Sequence, residues 1–434
     1  MMDYFVYSDE SNHDKSITKK TGAEYDVLNI DKPNLSREYT RSYLITNSQT
    51  IDDFSIKFID SENTLRNPKR KDNYFEIKAT DCLKISGSNG IKKIEEKYIN
   101  HLINCFNLIS ECNSTLVLVN YNKIEYVINS SIDLNMTRLQ KKNKLLNEET
   151  VKYSYAKYFQ NHYSDKLLDI MFSEKNNQTN YKIKREFDKI NKDLSNYPLK
   201  KNEYMVGKNL VKLIDELFVS FNPKKYYSWD YELETDLILR KMEEDTRNNY
   251  SFVFDGGTKV SKVLMRKLDN NNQKVEVSDS DSKEDTMIRF VDWMATFFGK
   301  LFRSYSNSMK MDIKNDRDVA LSTVADIERS WFDLDEIQFN LLKLIGKLIK
   351  NKNILFLQGV LADNSIGLKN YIEYVSTYNS YNEFNQKDLY VHGKENNIRL
   401  EESWQDYYLD KNIYFSKGET PKGIVNEYVK NMES

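Results

Sequence analysis

Cysteine, proline and glycine are all scarce in this chain of 434 residues, at 3, 5 and 13. The three cysteines, Cys82, Cys105 and Cys112, are odd in number and form no CxxC pair. That argues against a disulfide framework and for free thiols in a reducing compartment. Cys105 and Cys112 sit in a helical pattern at a spacing that puts them on one face, as small hydrophobes. Few prolines and glycines favour long helices and few tight turns. Long hydrophobic runs are missing too: none approaches the roughly 18 residues of a membrane helix. The opening "MMDYFVYSDE" has neither the basic start nor the apolar stretch of a signal peptide. A cytoplasmic protein with no membrane partner is therefore expected.

Charge of one sign is also lacking. The formal net charge of −2 supplies no global positive field to draw nucleic acid. The four histidines, His13, His101, His162 and His392, have no ligand spacing, and H-E-x-x-H, G-x-S-x-G and G-x-x-x-x-G-K-[ST] do not occur. These gaps speak against a zinc peptidase, a serine-hydrolase elbow and a P-loop NTPase. "GSNGIKK" at Gly87 to Lys93 reads as a turn leading into a helix.

Aromatics are plentiful: 30 Tyr and 21 Phe within a 13% aromatic share argue against disorder over most of the length. Heavy use of Asn, Lys, Ile and Tyr suits an A+T-rich genome. Local basic runs end at Lys71, Lys144 and Lys189. Each reads either as a solvated face or as a stripe for nucleic acid. Trp229, Trp293, Trp331 and Trp404 suit base stacking or, more simply, a core.

Strands are expected at "YFVY" (Tyr4 to Tyr7), "SYLITN" (Ser42 to Asn47), "YFEIKAT" (Tyr74 to Thr80), "STLVLVNYN" (Ser114 to Asn122), "YSFVFDGG" (Tyr250 to Gly257) and "KVEVSDSDS" (Lys274 to Ser282). "DFSIKFIDSEN" suits a helix or a strand edge. Apolar residues recurring at three and four predict a helix over Lys92 to Ile109. "STLVLVNYN" is the kind of apolar run that a parallel sheet buries on both faces. Helices are expected at "KVSKVLMRKL" and "KEDTMIRFVDWMATFFGKLFRSY". Alternation of strands and helices indicates an α/β core. It is interrupted from Tyr121 to Asn249 by a polar helical stretch, read as an insertion. The expected organisation is a core of 1–120 and 250–311, an insertion of 121–249 and a mostly helical C-terminal extension of 312–434. In that extension "LDEIQFNLLKLIGKLIK" is strongly amphipathic, for packing on its own domain or for a partner.

Four acids stand out. Asp9 and Asp255 end strands, Glu76 lies in "YFEIKAT", and Asp292 falls at the border of a helical stripe formed by Met287, Ile288, Val291, Met294, Ala295, Phe298 and Leu301. Asp285, two turns earlier, shares the direction of Asp292, and Ser282 with Asp285 resembles a capping box. Ligands of α/β sheets bind outside the carboxyl ends of strands. Carboxylates crowded there drive one pKa up unless a cation intervenes. Mg²⁺ or Mn²⁺ meets that need, and two such ions support phosphodiester cleavage. The plainer alternative is that strand-end acids mark solvated turns.

These residues, in this order, resemble the bacterial family called domain of unknown function 3800, regarded as ribonuclease H-like. The likeness lies in "YSDESN" (Asp9, Glu10, Ser11), "FEIKATDCLKISG" (Glu76, Lys78, Ser86, Gly87), "FVFDGG" (Asp255) and "SDSDSKEDTMIRFVDWMATFFGK", where Asp292 takes the family's Asp position. Asn12 replaces the usual Gly, Arg289 a Gln and Val291 an Ala. The resemblance covers the inferred core alone. It implies a ribonuclease H-like mixed sheet for the α/β core, while the large helical insertion and the mostly helical C-terminal extension rest on the sequence pattern alone. The expected function is a metal-dependent nuclease, in bacterial anti-phage defence. Asp9, Glu76, Asp255 and Asp292 would hold Mg²⁺ or Mn²⁺, with Glu10 or Asp285 in support, Lys78 on a phosphate, and nucleic acid as partner. The alternative is a non-catalytic interaction protein of an abortive-infection or mobile-element system, meeting a protein partner through the insertion or the extension.

Overall fold

The computed structural model describes residues 3–11, 17, 38–66, 77–85, 87–142, 147–162, 164–197, 200–243, 249–255, 259–270, 275–308 and 327–410. Strands β1 (Asp3–Ser11) and β2 (Glu38–Asn47) precede α1 (Ile51–Leu65), α2 (Ala79–Cys82), α3 (Glu96–Glu111) and β3 (Thr115–Asn122). The next segment holds α4 (Lys123–Ser131), β4 (Ile132–Leu134), α5 (Met136–Lys142), α6 (Glu148–Asn161) and α7 (Asp165–Met171). It continues with α8 (Thr179–Leu194), α9 (Lys201–Asp215), β5 (Val219–Phe221) and α10 (Glu232–Glu243). Then come β6 (Asn249–Asp255), α11 (Lys259–Asn270), β7 (Glu276–Ser280) and α12 (Thr286–Ser308). The described chain finishes with α13 (Glu336–Lys350), β8 (Ile354–Gln358), α14 (Asp363–Ser376), α15 (Tyr381–Asn385) and α16 (Leu389–Asp410).

Six strands form one mixed sheet in the order β7-β6-β1-β2-β3-β8, and β4 pairs with β5 separately. β2 runs antiparallel to both β1 and β3. β6 is parallel to β1, β7 to β6 and β8 to β3. Five strands therefore point one way, and their carboxyl ends share a single rim with the amino end of β2. The expectation of a parallel sheet around β3 holds on its β8 side only.

Side-chain alternation along a strand sorts residues onto two faces. Val6, Tyr39, Tyr43, Val117 and Val119 pack under helices of the 123–243 segment, through residues such as Ile124, Ile128, Tyr155 and Phe159. Tyr7, Leu44, Leu116 and Leu118 pack under α1, α3, α12, α13 and α14, through Phe54, Leu102, Val291, Phe298 and Leu342. Each such burial stabilises by about 1.5–3 kcal/mol relative to exposure. β3 is covered on both sides, which is why its sequence is an apolar run rather than an alternation.

The segment read as an insertion thus roofs one face of the sheet. The stretch read as a C-terminal extension gives the sheet β8 and gives the other face α13 and α14. α1 settles the ambiguity of "DFSIKFIDSEN" in favour of a helix. In "YFEIKAT" the described part is Ile77 and an extended Lys78, followed by the short helix α2 from Ala79. The rest of that stretch lies outside the described residues. α12 begins later than the capping box at Ser282 implies. Asp285 itself accepts from the N–H groups of Met287 at 2.8 Å and Ile288 at 3.3 Å, so it caps the helix directly. The three cysteines are free and buried. So are all four tryptophans, which answers the stacking alternative for their rings. Among the described residues no helix is long and apolar enough to cross a membrane.

Candidate functional site

β1 carries Asp9 to the carboxyl rim in register with Ser42 of β2. Alternation turns Asp9 to the same face as Tyr7, toward α12. Ser42, on that face too, donates its hydroxyl to the backbone carbonyl of Val291 at 2.7 Å. The next residue on α12 is Asp292. On the other side of β1, Ser8 pairs with Phe254, so one residue further on Asp9 stands beside Asp255 at the end of β6. Asp255 faces the same way as Asp9.

Three acids from distant parts of the chain therefore meet on one face at one rim. Asp9 is 8% exposed, while Asp255 and Asp292 are half-buried. The Asp9 carboxyl is raised well above the usual carboxylate range. Burial is the main cause, followed by the charges of Asp292, Glu10 and Asp255. Opposing this, the Glu10 N–H donates to Asp9 Oδ1 at 2.7 Å. Asp292 Oδ1 accepts from the Thr296 hydroxyl at 3.3 Å.

Two turns beyond Asp292, Lys300 donates to the carbonyls of Thr80 at 2.7 Å and Leu83 at 2.8 Å. It ties α2 to α12. Burial and Arg303 lower the pKa of Lys300, while Asp81, Cys82 and Asp292 act against that. Lys78 is exposed at the amino end of α2. Glu76 lies outside the described residues. Asp285 is occupied as the cap of α12, and its charge, after burial, raises the Tyr7 phenol.

Glu10 points to the opposite face, where it pairs with Arg41. Arg41 is fully buried. Its Nε donates to the Tyr39 hydroxyl at 2.8 Å and lies 3.3 Å from Glu234 of α10, and its Nη1 is 3.3 Å from the Ser8 hydroxyl. Burial pushes Glu234 up to about 7. The guanidinium thus neutralises Glu10 and Glu234 behind the sheet, while Asp9 faces away from it. Arg41, Ser42 and Lys300 escaped the sequence reading. A faint signal for Arg41 exists in "YTRSY", where it falls in phase with the inward Tyr39 and Tyr43.

Of the basic runs, the one ending at Lys71 lies outside the described residues, and the one ending at Lys144 is described to Lys142. The third lies on α8, where Lys184 pairs with Asp215 at 2.6 Å and Lys189 with Glu186 at 2.5 Å. As the side chains stand, no group of three or more His, Cys, Asp or Glu among the described residues has a metal-holding arrangement. Comparison with known protein families, with curated proteins and with solved structures found no match to this chain.

Proposed function

We infer that this protein is a divalent-cation-dependent nuclease built on a ribonuclease H-like core. The observation that carries the reading is the crowding of Asp9, Asp255 and Asp292 on one face of the carboxyl rim, with Asp9 pushed toward its neutral form by burial and by its neighbours. A mixed sheet, in which β1, β2 and β3 run antiparallel and β6 and β7 lie parallel to β1, supports the fold assignment.

The donor set fits a hard cation. Carboxylate oxygens suit Mg²⁺ or Mn²⁺, and such an ion relieves the like-charge conflict at Asp9. Asp9, Asp255 and Asp292 are the residues to hold it. Bound there, the cation supplies an activated water and stabilises a leaving phosphodiester oxygen. The chain's own residues do the positioning. Ser42 holds α12 against β2, Lys300 holds α2 against α12, and Lys78 offers an ammonium to a phosphate. A place in bacterial anti-phage defence rests on the family resemblance alone.

Cleavage of labelled single- and double-stranded DNA and RNA in Mn²⁺ tests the reading. Asp9→Asn and Asp292→Asn are expected to abolish cleavage while remaining folded. Unchanged cleavage by both would remove these residues from the chemistry. The second reading, a non-catalytic interaction protein, is favoured by one observation: the described carboxylates do not stand in a metal-holding arrangement. On that reading Mn²⁺ neither binds nor promotes cleavage.

A further inference from the structure

On the face of the sheet away from Asp9, the chain between β5 and α10 folds over α4 and leaves a cavity of about 570 Å³. Aromatic rings and charged groups both line it. Tyr126 and Tyr226 supply aromatic rings, and Lys175, Lys224 and Lys225 supply three ammonium groups against the two carboxylates Glu174 and Asp230. Tyr226 is 57% exposed, so folding has left a large ring in water where it contributes little to the core. Lys224 and Lys225 are exposed as well, with Lys225 paired to Glu174 at 2.8 Å.

The walls are fixed by hydrogen bonds rather than left as a loose loop. The Tyr126 hydroxyl donates to the Ser228 carbonyl at 2.6 Å and accepts from the Asp230 N–H at 3.1 Å. The Tyr227 hydroxyl donates to the Met171 carbonyl at 2.7 Å. The Tyr126 ring stacks on Trp229 at 4.3 Å, and Trp229 packs on Tyr39 at 4.5 Å, the partner of Arg41. A short chain of contacts thus joins the cavity to the strand ends that carry Glu10 and Asp9.

We propose that this cavity binds one nucleotide of a single-stranded nucleic acid, its base against Tyr226 and its flanking phosphates on Lys175, Lys224 and Lys225. An exposed ring beside ammonium groups matches a ligand that is planar and anionic at once. An acidic peptide would use the lysines and leave the ring idle, and an apolar ligand would leave the lysines idle. A base held in a duplex has no free face to offer, whereas a single strand does, and stacking of this kind tolerates any sequence. The assignment rests on the reading of nucleic acid as the substrate, but not on cleavage.

The test is fluorescence anisotropy of a short labelled mixed-sequence oligonucleotide, as RNA and as DNA, with the full chain in EDTA. Tyr226→Ala is expected to weaken binding by about tenfold with the salt dependence unchanged. Lys224→Ala with Lys225→Ala is expected to lower the slope of log Kd against log salt by about 1.4, roughly 0.7 for each lost phosphate contact. Thermal unfolding of both variants should match that of the wild type. Wild-type affinity in both variants would overturn the proposal. Equally tight binding of a polyglutamate peptide, lost in the same variants, would make this a protein-docking site instead. AMP binding as tightly as the oligonucleotide would make it a mononucleotide site and overturn the strand assignment. Because EDTA silences cation-dependent cleavage, these outcomes are separate from any loss of cleavage in Asp9→Asn.

Discussion

Ser42 and Val291 are joined by a 2.7 Å hydrogen bond across 249 residues of sequence. The hydroxyl comes from the residue opposite Asp9 on the β1–β2 ladder, and the carbonyl from the residue before Asp292. This contact ties α12, which bears Asp292, to β2, the strand paired with the one that bears Asp9.

Ser42→Ala is therefore expected to do two things. Loss of a buried hydrogen bond costs about 1 kcal/mol of stability, read as a lower urea midpoint with an unchanged slope. Release of α12 from β2 should also weaken Mn²⁺ binding, although Ser42 carries no charge. A variant that loses stability and keeps its Mn²⁺ affinity would separate the contact from the site.

Arg41 is a fully buried cation between Glu10 and Glu234. Arg41→Ala strands two carboxylates behind the sheet, and breaking a buried pair in this way typically costs 3–5 kcal/mol. Urea unfolding should show that loss. Combining Arg41→Met with Glu10→Gln and Glu234→Gln should recover much of it, because no unpaired charge then remains. If the combined variant is as unstable as Arg41→Ala, packing rather than charge explains the cost.

His101 governs part of the acid limb of stability. It is 1% exposed, shares a hydrogen bond with the Ser61 hydroxyl at 2.8 Å, and burial lowers its pKa to about 4. An unfolded histidine titrates near 6.5. Between these values the unfolded chain binds more protons than the folded one, so stability rises with pH. The contribution is fully present above about 6.5 and is lost as pH falls toward 4, by about 3 kcal/mol in all. Urea midpoints measured across that window should flatten in His101→Gln by about one proton's worth of slope. An unchanged slope would show that His101 is not the titrating group.

Much of the rim was legible in the sequence, and the reason is local. Asp9 and Asp255 directly follow the apolar residues of their own strands, so neighbouring residues place both near the carboxyl rim. The helix pattern puts Asp292 only at the border of a buried stripe, and its approach to the rim depends on α12 packing against the sheet. What was not legible depends on partners far along the chain. "ILFLQ" of β8 is short and apolar and follows the long helix α13, and only its pairing with β3 makes it a strand. Arg41 is inward-facing because Glu10 and Glu234 lie behind it, and Glu234 is 193 residues away. The extent of β2 was read four residues short because "EYTR" is polar at its amino end. Those residues are buried by pairing with β3, by Glu234 of α10 beside Arg41 and by Asn364 of α14 beside Glu38, not by their own hydrophobicity. Glu76, singled out with the other acids, lies outside the described residues, and Asp285, singled out by its direction on the helix, serves the amino end of α12.

The central claim is that a divalent cation makes the meeting of Asp9, Asp255 and Asp292 tolerable. Calorimetric titration of Mn²⁺ into the wild type and into Asp9→Asn, at neutral pH with both proteins shown to be folded, tests it most directly. The account predicts saturable binding to the wild type that is lost in Asp9→Asn. Equal binding by the two proteins, or none by the wild type, would contradict it.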